Sequence, residues 1–151
     1  MKTFHSIDEI LDFAMNAEQE AVDFYTNMAG RMNNPQMKEV FLDFAREEVG
    51  HKARLQKIKD EKVFDMEVEN VNDLKIADYV VQSHQGDDLE YADALVLAMK
   101  KEKAAFKLYT HLAQRTGNPG LQKVFQALAM EESKHKLRFE IEYDEFVMRE
   151  N

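Results

Sequence analysis

At residues 45–51 the chain reads AREEVGH, and 84 residues later, at residues 129–135, it reads AMEESKH. Each copy contains a Glu-x-x-His motif, and the four residues involved are Glu48, His51, Glu132 and His135. Residues three apart lie on the same face of a helix, so each motif directs a carboxylate and an imidazole toward one point. Each motif is therefore a candidate pair of metal ligands.

The repeat extends well beyond these seven residues. Pairing every residue from 11 to 54 with the residue 84 positions later gives 19 identities in 44 positions. Both copies contain an Asn-Pro pair, at 34–35 and 118–119, where the asparagine can cap a helix and the proline suits its first turn. We interpret the chain as an internally duplicated helical hairpin.

Helical periodicity predicts the remaining architecture. Ser6 and Glu9 form a capping-box pattern, and helices are expected at residues 7–31, 35–60, from a capped start at 87–90 to about 116, and 119–148. Residues 61–86 are interpreted as a crossover connection, with a small helix within 71–81. The predicted fold is all-α: a single domain over residues 1–151, forming a ferritin-like four-helix bundle with up-down-down-up connectivity.

Composition excludes several classes of function. The sequence has no cysteine, so disulfides, thiolate nucleophiles, iron–sulfur clusters and rubredoxin-type iron are ruled out for these residues. A net charge of −9 without clustered Lys and Arg argues against binding nucleic acid. No apolar run suits a signal peptide or a membrane span, so we expect a cytoplasmic protein that does not interact with membranes.

Two further glutamates complete a candidate metal site. Glu18 and Glu102 interrupt the apolar seams of the first and third helices, and Glu18 and Glu48 are equidistant from residue 33 in the turn. At 1.5 Å per residue both lie about 21 Å from the hairpin end. If the hairpins pack about a pseudo-twofold axis, all six ligands share one layer. Four buried carboxylates would repel one another, and two divalent cations balance their charge.

The chemistry of the donor atoms limits which metal ions the site would bind. Carboxylates and imidazoles without sulfur suit iron or manganese, so the expected cofactor is a pair of iron ions, a pair of manganese ions or a mixed pair. The alternative is a surface Glu-x-x-His motif that was duplicated without any metal. That alternative requires all six groups to leave the apolar seam defined by their neighbours.

The doubled pattern resembles the rubrerythrin branch of the ferritin-like superfamily. The matching positions are Ala14, Glu18, Ala21, Tyr25, Glu48 and His51, with Ala98, Glu102, Ala105, Tyr109, Glu132 and His135. The resemblance implies that Glu48 and Glu132 bridge two metals, whereas Glu18 and Glu102 are terminal ligands. Rubrerythrins proper also carry a cysteine-containing rubredoxin domain, and a further glutamate where this chain has Ala105.

Two functions remain open from the sequence. The resemblance implies a di-iron oxidoreductase that reduces hydrogen peroxide or dioxygen with electrons from an external donor such as rubredoxin. The other hypothesis is a protein that binds, stores or senses iron, or a ferroxidase. Tyr25 and Tyr109 either hydrogen-bond the ligand carboxylates or are ordinary core residues. The resemblance also leads us to expect a homodimer, with or without exchanged helices.

Other ionisable residues have simpler interpretations. Three histidines without partners at ligand spacing are expected at the surface: His5, His84 and His111. Three glutamates lie near the ligands in sequence but off the seam, and are expected to face solvent: Glu20, Glu47 and Glu131.

Overall fold

The computed structural model describes residues 2–62, 71, 73–81 and 90–150. Its four α-helices are α1 (Ile7–Arg31), α2 (Pro35–Glu61), α3 (Tyr91–Arg115) and α4 (Pro119–Glu150). A short 3-10 helix covers Ile76–Tyr79. Within these described residues the extended pairing is limited to one isolated antiparallel bridge, between Thr3 and Lys75. The all-α prediction is confirmed.

The helix starts follow the capping residues read from the sequence. The Ser6 hydroxyl accepts a hydrogen bond from the Glu9 N–H at 3.1 Å, and Asn34 accepts one from the Gln36 N–H at 2.8 Å. Asn118 repeats this arrangement at the second Asn-Pro turn, accepting from the Gly120 N–H at 2.9 Å. These side chains accept hydrogen bonds from N–H groups that have no partner inside the helix. Helices α2 and α4 therefore begin at the predicted Asn-Pro pairs.

The described part of the connection between α2 and α3 contains one short helical turn. Helix α2 ends at Glu61, and Lys62 takes the left-handed conformation with φ of 50°. The small helix expected within 71–81 is reduced to the 3-10 turn Ile76–Tyr79. Residues 63–70, 72 and 82–89 lie outside the described part, and the predicted capped start at 87–90 is described only at Glu90.

Packing divides the chain into two compact units. The first, Phe4–Asp73, contains α1 packed against α2, which we call the N-terminal hairpin. Its predicted seam is buried at nearly every position, and the buried members are Leu11, Ala14, Glu18, Ala21, Tyr25 and Met28 on α1, with Met37, Phe41, Glu48, His51, Leu55 and Ile58 on α2. The apolar periodicity therefore predicted which faces of these two helices meet.

The second unit, Met1–Thr3 with Leu74–Asn151, contains α3 packed against α4, the C-terminal hairpin. Its seam is buried in the same way, at Leu95, Ala98, Glu102, Tyr109, Leu112 and Thr116 on α3, with Leu121, Phe125, Leu128, Glu132, His135 and Phe139 on α4. No helix in the described part of the chain combines the length and apolarity needed to cross a bilayer.

Candidate metal centre

The N-terminal hairpin brings three predicted ligands together in its buried seam. Glu18 comes from α1, and Glu48 and His51 come from adjacent turns of α2. The His51 Nδ1 atom lies 3.6 Å from Glu18 Oε2 and 3.5 Å from Glu48 Oε1. One ligand atom from each residue lies within 4.8 Å of the other two, and none of the three side chains is more than 2% exposed. We call these residues the N-terminal cluster.

The C-terminal hairpin repeats this arrangement. Glu102 on α3 faces Glu132 and His135 on α4, and the His135 Nδ1 atom lies 3.6 Å from Glu102 Oε1. Ligand atoms of the three residues again lie within 4.8 Å of one another, and each of the three residues is at most 3% exposed. This C-terminal cluster is the equivalent of the N-terminal one under the 84-residue repeat.

The spacing of these atoms fits a shared cation. A hydrogen bond would bring nitrogen and oxygen to about 2.7–3.2 Å. Two ligands held about 2.1 Å from one metal ion, at angles near 90–110°, lie roughly 3.0–3.4 Å apart. The 3.5–3.6 Å separations in both clusters are close to that second range. Little movement would therefore be needed to place a metal ion between His51 and either of its two carboxylates, or between His135 and Glu102.

The buried charges of both clusters also favour a bound cation. Each cluster buries two carboxylates, and buried like charges are strongly destabilising unless they are compensated. One divalent cation in each cluster would offset both negative charges, leaving the imidazole neutral and able to act as a ligand. The donor set of oxygen and nitrogen, in a chain without cysteine, is suited to iron or manganese.

Both predicted tyrosines are buried beside aromatic side chains. Tyr25 is fully buried, with ring centroids 6.2 Å from Phe41 and 6.3 Å from Phe44. Tyr109 stacks on Phe125 with an interplanar angle of 12° and a centroid distance of 6.4 Å. The core packing expected for these residues is present, and a hydrogen bond from either hydroxyl to a ligand carboxylate remains a prediction.

Most of the described histidines and glutamates that were predicted to lie at the surface, away from the metal site, are exposed. His5, Glu20 and Glu47 are exposed, and His84 lies outside the described residues. Glu131 is half-buried, not fully solvent-facing. The surface assignment of His111 needs correction, because its side chain is half-buried and its Nδ1 shares a 2.6 Å hydrogen bond with the Tyr79 hydroxyl. This contact fastens the 3-10 turn to α3.

One buried carboxylate was missed by the sequence reasoning. Glu142 on α4 is only 3% exposed, and its Oε1 accepts a 3.0 Å hydrogen bond from the Tyr91 hydroxyl at the start of α3. The Arg138 guanidinium lies 3.9 Å from its other oxygen. A signal was available, because Glu142 continues the three- and four-residue steps of the seam through His135 and Phe139.

Residues 9–143 match the family model described as Rubrerythrin. The chain belongs to the rubrerythrin family. No functionally curated protein matches this rubrerythrin-family chain significantly.

Two solved structures share the fold. A protein from Thermotoga maritima, whose assignment as a ferritin-like diiron-carboxylate protein is itself provisional, is 22% identical with a TM-score of 0.78. That match covers 96% of this chain and 99% of the other. A hypothetical protein from Pyrococcus furiosus is 24% identical with a TM-score of 0.73, covering 92% of this chain and 89% of that one. The predicted ferritin-like fold is confirmed, and the buried Glu/His clusters of this rubrerythrin-family chain are compatible with a metal site.

Proposed function

We propose that this protein is a di-iron-carboxylate oxidoreductase, which reduces hydrogen peroxide or dioxygen with electrons supplied by an external donor. The observation that carries the proposal is the buried Glu, Glu, His cluster, present once in each hairpin of a rubrerythrin-family chain. The two clusters would hold two iron ions per chain, with three side chains contributed by each hairpin. Manganese would satisfy the same donors, and metal analysis decides between them.

The roles of the side chains follow from charge and burial. The four glutamates neutralise and bind the metal ions, and His51 and His135 supply one neutral nitrogen each. Family resemblance assigns the bridging positions to Glu48 and Glu132. Buried aromatic side chains such as Tyr25 and Phe41 limit the access of bulk water to the ligands of their hairpin. Tyr25 and Tyr109 are proposed to hold ligand carboxylates in position through their hydroxyls.

The proposed reaction is a two-electron reduction. Ferrous iron held by the glutamates and histidines of the two clusters would be the source of electrons for the O–O bond of the oxidant. For hydrogen peroxide, two electrons and two protons convert one molecule into two molecules of water. These 151 residues contain no cysteine and hence no rubredoxin-type iron, and we propose that an external donor such as rubredoxin returns the electrons. We propose that the reaction takes place in the cytoplasm, where such a reduced donor would be available.

Single-turnover and cycling measurements test this proposal. The protein is loaded with iron, its metal content is measured, and the anaerobically reduced form is mixed with hydrogen peroxide. We expect about two metal ions per chain, reoxidation within seconds, and repeated turnover when a reductant is present. Metal-free protein is the control for chemistry in free solution.

A control variant tests whether the metal content depends on the proposed ligands and not on acidic residues next to them. Glu47→Ala changes an exposed neighbour of a proposed ligand and should leave metal content and reoxidation unchanged. Stoichiometric iron that never cycles with peroxide or dioxygen would contradict the oxidoreductase and favour iron binding, storage or sensing. Oxidation of iron that is then released, with dioxygen as the oxidant, would favour a ferroxidase.

A further inference from the structure

Helix α3 carries three exposed lysines beside the C-terminal cluster. Lys100, Lys103 and Lys107 follow one another at steps of three and four residues, so they lie within about 60° of arc and extend about 10 Å along the helix. The one acidic residue of this segment, Glu102, is buried in the C-terminal cluster and adds no negative charge to the surface. We call the three lysines the α3 lysine face.

This positive charge contrasts with the rest of the chain, whose net charge is −9. Several basic side chains on α2 and α4 form salt bridges with carboxylates, namely Lys57 with Glu61, Lys59 with Asp12 and Lys136 with Glu140. Within the part of the chain that the structure describes, no carboxylate forms such a bridge with a member of the α3 lysine face. The face therefore presents uncompensated positive charge to the solvent.

The duplicated hairpin provides an internal control for this face. The positions 84 residues before the three lysines are Asn16, Gln19 and Asp23 on α1. Asn16 and Asp23 are exposed, and the Gln19 amide donates a 3.0 Å hydrogen bond to the Asp23 carboxylate. The same helix face is thus neutral to acidic in one hairpin and basic in the other. Because both hairpins have the same Glu, Glu, His cluster, the lysines indicate a contact that the C-terminal hairpin alone makes.

An exposed aromatic side chain lies between the α3 lysine face and the metal ligand of the same helix. Phe106 is 41% exposed, and on the helix surface it neighbours Lys103, three residues before it, and Glu102, four residues before it. The equivalent residue on α1 is the smaller, half-buried Val22. An apolar contact bordered by charged groups is typical of protein-binding surfaces. The thickness of one helix, about 10–12 Å, separates this surface from the ligand Glu102.

We propose that the α3 lysine face, together with Phe106, is the docking surface for the electron donor, and that this donor is a small protein with an acidic contact surface. The proposal rests on the proposed oxidoreductase function, which needs such a donor. Opposite charges speed the encounter of two proteins, and redox partners typically form small, weak interfaces below about 1,200 Å². Two encounters with a one-electron donor return the two electrons that the reduction of one hydrogen peroxide consumes.

A nucleic acid is disfavoured as the occupant of this surface. Binding of duplex DNA commonly involves about 6–10 phosphate contacts, whereas the α3 lysine face offers three ammonium groups. A phosphate backbone that extends past the face would be repelled by a chain with a net charge of −9. The face is a local exception to the general lack of clustered lysine, and its size suits a small protein.

A binding measurement tests the location without any electron transfer. The probe is an acidic rubredoxin whose iron has been replaced by zinc, titrated into the full chain and followed by the amide chemical shifts of both proteins. We expect the shifts to change mainly in residues 100–107. Binding should weaken at least about tenfold when the ionic strength is raised from about 0.01 M to about 1 M, because the screening length falls from about 30 Å to about 3 Å.

Charge reversal tests which lysines are responsible. Replacing all three members of the α3 lysine face by glutamate should weaken binding at least about tenfold, whereas replacing them by arginine should preserve it. The matched control makes the same change in total charge at three exposed lysines elsewhere, Lys38→Glu, Lys57→Glu and Lys123→Glu, and should weaken binding far less. Circular dichroism verifies that all three variants retain their helix content.

Re-reduction kinetics separate this proposal from the proposed function. The oxidised, iron-loaded protein is reduced either by iron-containing rubredoxin or by reduced methyl viologen, a small cation that needs no docking surface. The ratio of the two rates should fall at least about tenfold in the glutamate variant of the α3 lysine face and not in the control variant. A protein that fails to cycle even with the dye would contradict the oxidoreductase, and the zinc-rubredoxin titration would still decide the docking surface.

Three results would overturn the docking surface. The first is the absence of binding at about 1 mM zinc-rubredoxin. The second is a set of shift changes that lies outside α3, and the third is an equal loss of affinity in the control variant.

Discussion

At positions equivalent by the 84-residue repeat, the N-terminal hairpin has buried Ile7 and Ile58, whereas the C-terminal hairpin has Tyr91 and Glu142. The first pair is apolar, and the second is joined by a 3.0 Å hydrogen bond. The two hairpins have thus diverged in how they close the end of the helix pair that lies opposite the Asn-Pro turn. One end relies on apolar burial and the other on a buried polar contact.

The surface contacts between the paired helices have diverged as well. In the N-terminal hairpin the Lys59 ammonium lies 2.6 Å from the Asp12 carboxylate, which links α2 to α1. The equivalent residues of the C-terminal hairpin are Tyr143 and Val96, which cannot form an ion pair. Neither this contact nor the helix-end pair lies at a ligand position.

The comparison shows which parts of the duplicated unit are constrained. Glu, Glu and His recur at equivalent positions with nearly the same separations, 3.5–3.6 Å in one cluster and 3.6 Å in the other. A carboxylate in a buried metal cluster has few substitutes, because its charge and its donor atoms are both needed. Packing contacts and surface ion pairs have many substitutes of similar energy, so they have diverged.

The largest expected effect comes from breaking one cluster while leaving the other intact. We expect Glu48→Ala with His51→Ala, and separately Glu132→Ala with His135→Ala, to abolish binding of both metal ions, because each change removes one of the two carboxylates that we propose to bridge them. Elemental analysis after metal loading measures the result, with circular dichroism to verify helicity.

The same experiment separates coupled from independent sites. Retention of about one metal ion per chain in both double variants would mean that each hairpin binds its metal separately. Retention of both ions would show that the ligands have been assigned to the wrong residues. Glu47→Ala serves as the control with full metal content.

An intermediate effect is expected at the helix-end pair. Tyr91→Phe removes the hydroxyl that donates to the buried Glu142 carboxylate, and we expect a loss of about 1.5–3 kcal/mol in the free energy of unfolding. Replacing both residues by isoleucine, as in the N-terminal hairpin, should cost less than Tyr91→Phe because no buried carboxylate is left behind. Urea unfolding of the metal-loaded proteins measures both. Equal stability of Tyr91→Phe and wild type would show that the hydrogen bond contributes nothing.

The smallest effect is expected at the surface ion pair of the N-terminal hairpin. The hydrogen bond to the Asp12 carboxylate is the main reason that the pKa of Lys59 is raised above its ordinary value of 10.5. A raised folded-state pKa means that the contribution is fully present below pH 10.5 and is lost as the pH rises through the folded-state value.

Lys59→Met should therefore lower the urea midpoint slightly at neutral pH, and the difference from wild type should shrink above pH 10.5. Asp12→Asn is the matched change on the other partner and should give the same pH profile. A difference that stays constant through this range would indicate that Lys59 acts through the packing of its methylene groups instead.

Much of the hairpin architecture was predictable because it depends on local rules. Ser6, Asn34 and Asn118 cap helices where the sequence places them, since a side-chain oxygen two or three residues before a free N–H satisfies it in any context. The seam glutamates and histidines are buried as their three- and four-residue spacing predicts.

Other features depended on neighbours that are distant in the chain. Glu142 follows the seam, but its acceptance of a hydrogen bond from Tyr91, 51 residues away, depends on how α3 and α4 align. His111 had no partner at ligand spacing, and the 3-10 turn supplies one from 32 residues earlier. Such pairs leave no periodic signal, because they occur once and join segments of different structure.

Sequence alone determined the duplicated hairpin, its caps and the residue types of both clusters, because periodicity and capping act over a few residues and the repeat shows them twice. Only the tertiary structure decided that the three ligand atoms of each cluster come within 4.8 Å of one another. It also decided that Met130, Leu137, Ile141 and Met148 are exposed although their apolar character favours burial. Both outcomes depend on how one helix rotates against its neighbour, which the packing of the whole hairpin determines.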